Sequence, residues 1–315
     1  MAWSAPIWFD LWLAGMAGGA YFAAFLADRF TGGGNKPLLR LATYVGIPLA
    51  VIGVLLLVVD LGQPLRFWHL FTQFKVTSPM SMGTWILLAW VGIAVIMVVL
   101  WWFENRLAEA TARSLRRLTG VLGWVDVVFA VLLMCYTGVL LAVSNQSLWA
   151  GTVLLPALFV ASAISTGVAI LIIAAMIANA ISRGRLVELR LAMNQLFGTT
   201  DWAIPNRAVR QLAKTLAVVI LIQLAALIGY AIWLATSTMA GAGDALGLLI
   251  SGTLAAPFWV GVVLLALLVP FGLLVANWGK EIEKKAVWRA ILTSSTCVIL
   301  GGLVLRAVIV MAGQM

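Results

Sequence analysis

Long apolar runs that alternate with short polar segments are the dominant pattern of this chain. A helix that crosses the ~30 Å hydrocarbon core of a bilayer needs about 20 apolar residues. Eight runs meet that requirement, at about residues 7–27, 42–60, 81–103, 121–143, 151–181, 212–236, 248–276 and 288–311. The pattern therefore predicts an all-α integral membrane protein with eight transmembrane helices. An even number of spans puts both termini on one side of the membrane.

The composition supports the same class. Hydrophobic residues make up 63% of the chain and charged residues 10%, whereas about a quarter of the residues of a soluble domain are charged. No connection between the runs reaches the ~40 residues at which an independent fold becomes plausible. We therefore expect a single polytopic membrane domain over residues 1–315. Its halves, 1–150 and 151–315, each begin with a span rich in small residues, which hints at a duplicated four-helix unit.

The basic residues are distributed unevenly between the two sides. Of the 20 Lys and Arg residues, 17 fall in the odd-numbered connections, Arg66 and Lys75 fall on the opposite side, and Arg306 lies inside the last span. Because basic residues are enriched in cytoplasmic loops, the odd-numbered connections are predicted to be cytoplasmic and both termini to lie outside. The net charge of +9 is thus explained by membrane orientation, and nucleic-acid binding is not expected.

The segment from Asp60 to Trp85 is the longest mixed segment on the predicted outer side. It contains Arg66, the only histidine of the chain (His69) and a Ser-Pro turn that begins at Ser78. Four further candidates lie within the apolar runs: Asp10, Asp126, Tyr136 and Arg306.

Ionisable groups are costly inside a bilayer, so each of these is a candidate functional residue. Asp10, Tyr136 and Arg306 are predicted to lie at the level of the outer leaflet, and Asp126 lies closer to the cytoplasm. Structural alternatives remain open for each: an interfacial acid for Asp10, a core tyrosine for Tyr136, a helix cap for Asp126 and an ion-pair partner for Arg306.

The residue inventory limits the chemistry. A bis-histidine haem needs two axial histidines, and a zinc or di-iron site needs more ligands than this chain offers, so neither haem nor a metal site is expected. A few polar groups at one leaflet of an apolar scaffold suit a lipophilic ligand with a polar head, such as a quinone. Tyr136 would donate a hydrogen bond to a ring oxygen, and Asp10 or His69 would exchange protons. By spacing alone, a transporter of some kind is slightly favoured over a quinone site.

Five sequence motifs in order resemble the NrfD/PsrC family of respiratory membrane subunits. They are DLGQPLRFWH, TSPMSMGTW, CYTGVLLA, LWAGTVLLPALFVASAISTG and GGLVLRAVIVMAGQ. The resemblance implies two four-helix bundles and a site for menaquinone or ubiquinone on the non-cytoplasmic side. It also implies a ferredoxin-like iron–sulfur partner and a molybdopterin catalytic subunit, so that clusters and molybdopterin are expected only in partner subunits.

The resemblance also assigns roles to individual residues. Tyr136, in CYTG, matches the tyrosine that faces the quinone head group in this family. Asp10 falls where a member of the family has a histidine, so it either is protonated in its buried position or accepts protons from quinol. Asp60, Arg66, His69 and Ser78 fall in the loop that looks like the docking face for the cluster subunit. Arg306 matches the arginine of the last helix in this family.

Three hypotheses follow from the sequence. In the first, the protein is the quinone-reactive subunit of an oxidoreductase complex and is inactive alone. In the second, it translocates protons through a relay that includes Asp126, Tyr136, Asp10 and Arg306. In the third, it is a solute permease, which the lack of paired Gly/Pro-broken spans disfavours.

Overall fold

All regular structure in the described part of the chain is helical. The computed structural model describes residues 4–30, 34–60, 66, 68–69, 75, 78–104, 106–143, 149, 152–182, 191, 203–237, 242–280 and 284–314. Within these residues, eight helices are long and apolar enough to cross a membrane. The predicted all-α membrane architecture with eight spans is therefore confirmed.

Seven of these spans are single α-helices close to the predicted positions. Their bounds are α1 Ala5–Phe30, α2 Lys36–Asp60, α3 Pro79–Glu104, α4 Glu109–Ala142, α5 Leu154–Ser182, α6 Asn206–Thr236 and, as the last helix of the chain, α9 Lys285–Ala312. The largest difference is at the start of α4, which begins 12 residues before the predicted apolar run because its first three turns contain charged residues and so interrupt the apolar pattern. Apolar length predicts the membrane-embedded part of a helix and misses such an extension.

The seventh span differs from its predicted bounds of 248–276. Residues Ala242–Ile250 form a separate short helix, α7, and a turn through residues 251–254 separates it from the span. The span itself consists of a π-helical segment, Pro257–Leu268, that continues into α8, Val269–Ala276. Proline is well tolerated in the first turn of a helix, so Pro257 marks the new start within a continuous apolar run.

Helix α1 lies at the centre of the molecule and packs against α2, α4, α5 and α9. Small residues allow this because they let two helix backbones approach closely. A Cβ atom at Gly19 would overlap the carbonyl oxygen of Ala163 in α5, and one at Gly167 of α5 would overlap the backbone nitrogen of Ala20. The crossing of α1 and α5 is therefore a backbone-to-backbone contact with no room for a side chain.

The two ends of the molecule differ in charge. We call the end where α1 begins and α9 ends the terminal face, and the other end the opposite face. Lys and Arg residues cluster near the starts of α2, α4, α6 and α9, which places them at the opposite face. There, Glu104 bridges Arg40 at 2.9 Å and Arg116 at 3.4 Å and so links α3 with α2 and α4.

Candidate functional site

A cavity of about 310 Å³ lies between α1, α2, α3 and α4 in the half of the molecule nearest the terminal face. Its wall is formed mainly by aliphatic side chains. The polar side chains in the wall are Asp10, Asp60, Thr84 and Tyr136. The cavity thus brings together two of the three residues that the sequence analysis placed at one level, Asp10 and Tyr136.

Asp10 lies in the second turn of α1 and is buried. Its Oδ1 atom has no hydrogen-bond partner among the described residues. The carboxyl group fits against α2 because residue 53 is glycine: a Cβ atom there would lie 2.6 Å from Oδ1. An unpaired polar atom in an apolar setting costs free energy, and the protein leaves this cost at Asp10 uncompensated among the described residues.

Tyr136 projects from α4 into the same cavity, near the terminal face. Its ring lies directly over Gly83 of α3, where a Cβ atom would overlap the ring atoms Cε1, Cε2 and Cζ. Tyr136 also lies close enough to Asp10 for the two groups to interact electrostatically. The cavity therefore has one polar corner, formed by a phenol and a carboxyl group, in a wall that is otherwise largely hydrocarbon.

Asp60 forms part of the cavity wall at the end of α2. The hydroxyl of Ser4 donates a hydrogen bond to Asp60 Oδ1 at 2.5 Å. This bond ties the residue before α1 to the last residue of α2 and holds the two helices together beside the polar corner. Asp60 therefore belongs to the cavity wall as well as to the loop in which the sequence placed it.

The remaining residues predicted for the docking loop lie outside the described cavity lining. His69 Nδ1 is 3.1 Å from the carbonyl oxygen of Arg66, and the His69 ring stacks on Trp68 at a centroid distance of 3.8 Å. Ser78 precedes α3, and its carbonyl oxygen accepts a hydrogen bond from the Met82 N–H at 3.0 Å. Most of the intervening loop, including residues 61–65 and 70–74, lies outside the described residues.

Arg306 is completely buried and does not belong to the cavity wall. Its Nε donates to the Leu11 carbonyl oxygen at 3.1 Å, and its Nη1 donates to Ser162 Oγ at 3.0 Å and to the Gly302 carbonyl oxygen at 3.2 Å. The guanidinium lies 5.4 Å from the centre of the Phe159 ring. Arg306 therefore joins α9 to α1 and α5 and, unlike Asp10 and Tyr136, does not line the cavity.

Asp126 lies in the middle of α4, deeper than Tyr136, and is completely buried. Its carboxylate oxygens lack a hydrogen bond of good geometry among the described residues, and the group in its surroundings that interacts with them is the Tyr21 hydroxyl. The Tyr21 side chain of α1 lies nearby, and its hydroxyl is 3.5 Å from the carbonyl oxygen of Gly123. Asp126 thus occupies a separate polar position between the cavity and the opposite face.

Sequence reasoning missed the two glycines that shape the polar corner. Gly53 makes room for the carboxyl group of Asp10, and Gly83 makes room for the ring of Tyr136. Each glycine lies inside an apolar helix, where its flexibility costs up to ~1 kcal/mol relative to alanine. A glycine inside an apolar helix can therefore indicate close packing at that position, but the sequence does not show which side chain needs the space.

These features define a multi-pass membrane protein with a largely apolar cavity among its first four spans. The family described as "Polysulphide reductase, NrfD" matches residues 1–315, and the protein belongs to this family. It is 28% identical to Protein NrfD of Escherichia coli K12 over 335 aligned positions, which cover all of this chain and 96% of that protein. It is 30% identical to the C subunit of polysulfide reductase from Wolinella succinogenes over 179 positions, 53% of this chain and 56% of that protein. Family members are thus subunits of redox enzyme complexes.

Proposed function

We propose that the protein is the quinone-reactive membrane subunit of a respiratory oxidoreductase complex. It exchanges electrons between the membrane pool of menaquinone or ubiquinone and a ferredoxin-like iron–sulfur subunit. The observation that supports this most directly is the cavity whose one polar corner holds Asp10 and Tyr136. Family membership adds the expectation that the protein works within a redox complex.

The cavity suits a quinone head group in size and chemistry. Ligand pockets typically measure ~300–1,000 Å³ and combine an apolar wall with a few polar groups that orient the ligand. At about 310 Å³ with an aliphatic wall, this cavity is large enough for a planar ring system. The polar corner supplies one phenolic donor and one carboxyl group within a small part of the wall.

The two residues of the corner have complementary roles. The interconversion of quinone and quinol moves two electrons and two protons. Tyr136 donates a hydrogen bond to a ring oxygen and orients it. Asp10 carries a proton when protonated and accepts one when ionised, so it exchanges protons with that oxygen while the electrons pass to or from the iron–sulfur subunit.

The orientation and the partners form the second part of the proposal. The basic opposite face is cytoplasmic by the positive-inside rule, which puts the terminal face and the polar corner on the periplasmic or outer side. The loop with Arg66 and His69 is the proposed docking surface for the iron–sulfur subunit, and a molybdopterin subunit carries out the terminal reaction. We place α1–α4 and α5–α9 in two four-helix bundles, of which the first encloses the cavity.

Replacement of Tyr136 by Phe tests the proposal. The variant removes one hydroxyl and retains the ring over Gly83, so the complex is expected to assemble normally. Loss of one hydrogen bond of about 1.4 kcal/mol lowers quinone-linked turnover about tenfold. The matched control is Tyr230→Phe, a buried tyrosine of α6 outside the cavity, with unchanged turnover. Normal turnover in Tyr136→Phe would remove this residue from the site.

A permease function makes a different prediction. A permease would produce saturable solute uptake when the purified protein alone is reconstituted in vesicles. A quinone-reactive subunit produces no such uptake and needs its partners for turnover. Co-purification of iron–sulfur and molybdenum-containing subunits would separate the two functions further.

A proton route is a second candidate function, favoured by the completely buried carboxyl group of Asp126 beside Tyr21. In this proposal, Asp126 passes protons between the opposite face and the polar corner, and Arg306 influences the route electrostatically. Asp126→Asn would then abolish proton translocation while electron transfer continues. If neither process changed in this variant, Asp126 would have a structural role only.

A further inference from the structure

We propose that the cavity opens laterally into the lipid between α2 and α3 and that the isoprenoid tail of the quinone occupies this gap. The inference rests on the proposed function, because it concerns the ligand of the same cavity. It adds a route of entry and a class of substrate: a long-tailed quinone that reaches the site from the bilayer. We call the gap the lipid portal and define its rim by Val51, Leu55, Met80 and Leu88.

The exposure of the wall residues locates the portal. Lining residues from α1 and α4, such as Leu11, Ala14 and Leu133, are buried or half-buried. By contrast, the rim residues Val51 and Leu55 of α2 and Met80 and Leu88 of α3 line the cavity and are also exposed at the surface of the molecule. A residue that both lines a cavity and lies on the surface marks a mouth, so the apolar mouth lies between α2 and α3.

The packing of the helices explains why a gap exists there. Helix α2 packs closely against α1, and α3 packs closely against α4, whereas α2 and α3 touch each other little. They meet deeper in the molecule, where the fully buried Trp90 of α3 lies against Gly46 of α2: a Cβ atom at residue 46 would be 2.8 Å from Trp90 Cη2. Trp90 therefore closes the inner end of a wedge that is open to lipid near the terminal face.

The chemistry of the rim identifies the occupant. All four rim side chains are aliphatic or thioether groups without charge. The hydroxyl of Thr84, which also lines the cavity, already donates to the Met80 carbonyl oxygen at 3.0 Å. A hydrocarbon tail is compatible with such a rim, and it continues directly from a head group held at Asp10 and Tyr136 into the surrounding lipid.

Tryptophan substitution at the rim tests the portal. Leu88→Trp places a bulky ring in the gap. Its matched control is Val95→Trp on the same helix, because both residues are 43% exposed and a spacing of seven residues puts them within about 20° of the same face. Val95 does not belong to the cavity wall. Both variants are assayed in the intact complex with a long-tailed quinol and with a tailless analogue of the same head group.

The expected result is a selective loss. In Leu88→Trp, kcat/KM for the long-tailed quinol falls about tenfold relative to that for the tailless analogue, and in Val95→Trp the ratio is unchanged. Equal losses for both quinols, or no loss, would overturn the portal. If Leu88→Trp does not assemble, Leu55→Trp on the α2 rim, with Ile52→Trp as its exposed control, answers the same question. Failure of the proposed function itself would appear separately, as no turnover of either quinol by the parent complex.

Discussion

Helix α1 borders two different environments. The first is the cavity, where Asp10 has an unpaired carboxylate oxygen and a largely aliphatic wall around it. The second is the packed site of Arg306, which donates three hydrogen bonds to α1, α5 and its own helix and is closed off from solvent. Both residues are ionisable and buried, but one faces space for a ligand and the other faces protein.

In our proposal, this contrast distinguishes an ionisable group that takes part in the reaction from one that mainly joins helices inside a membrane. Any such group costs a few kcal/mol when placed in a bilayer. Arg306 offsets part of that cost through its hydrogen bonds to Leu11, Ser162 and Gly302 and through its position over Phe159, although its Nη2 atom has no partner among the described residues. Asp10 has no comparable set of partners among the described residues, so its cost is offset only when a ligand or water meets it.

The largest effect is expected at the packed contact between α1 and α5, from Gly167→Ala. The added methyl group would collide with the backbone of Gly19 and Ala20, which is held in place by its helix. Overpacking of this kind costs about 1–3 kcal/mol or more, so the yield of assembled complex in membranes and its thermal stability should fall sharply. Gly120→Ala in α4 is the control, since no atom lies within 4 Å of its added methyl group. Normal assembly of Gly167→Ala would show that α1 and α5 are not in backbone contact.

The number and position of the spans could be predicted from the sequence because both follow from apolar length. Apolar length did not predict two features: the charged start of α4 and the interruption before Pro257 within a continuous apolar run. The pairing of Asp10 with Tyr136 was predicted from their common level and from the family resemblance. The separate position of Arg306 depends on the rotation of each helix about its axis, which a level in the membrane does not determine.

A second, smaller effect is expected at the cavity, from Gly83→Ala. The added methyl group occupies the place of the Tyr136 ring, which must rotate away from the polar corner. Because the cavity beside it leaves room for this movement, assembly should be largely retained while quinone-linked turnover falls at least as far as in Tyr136→Phe. Gly92→Ala on the same helix is the control, since its methyl group meets no atom within 4 Å. Full turnover in Gly83→Ala would mean that the orientation of Tyr136 does not matter.

Arg306→Lys tests whether the hydrogen bonds of Arg306 stabilise the packing of α9 against α1 and α5. Lysine retains the positive charge but lacks the planar fork that reaches three acceptors at once. Loss of one or two of these hydrogen bonds should destabilise the complex by about 1–3 kcal/mol, measured as a lower midpoint of thermal unfolding. Turnover per assembled complex should stay near normal, because Arg306 lies outside the cavity wall. A large loss of turnover at unchanged stability would instead give Arg306 a direct part in the reaction.

Asp10→Asn tests the cavity-lining residue of this comparison and should have the smallest effect on the stability of the protein. Asparagine has nearly the same shape and fits the same space against Gly53, so the thermal midpoint should remain close to that of the parent protein. It cannot carry or release a proton, however, so quinone-linked turnover should fall about tenfold, equivalent to about 1.4 kcal/mol. Arg306→Lys would then lower stability and leave turnover intact, whereas Asp10→Asn would lower turnover and leave stability intact. If Asp10→Asn instead destabilised the complex and left turnover per complex intact, Asp10 would be a structural residue like Arg306, and the cavity would need another proton-exchanging group.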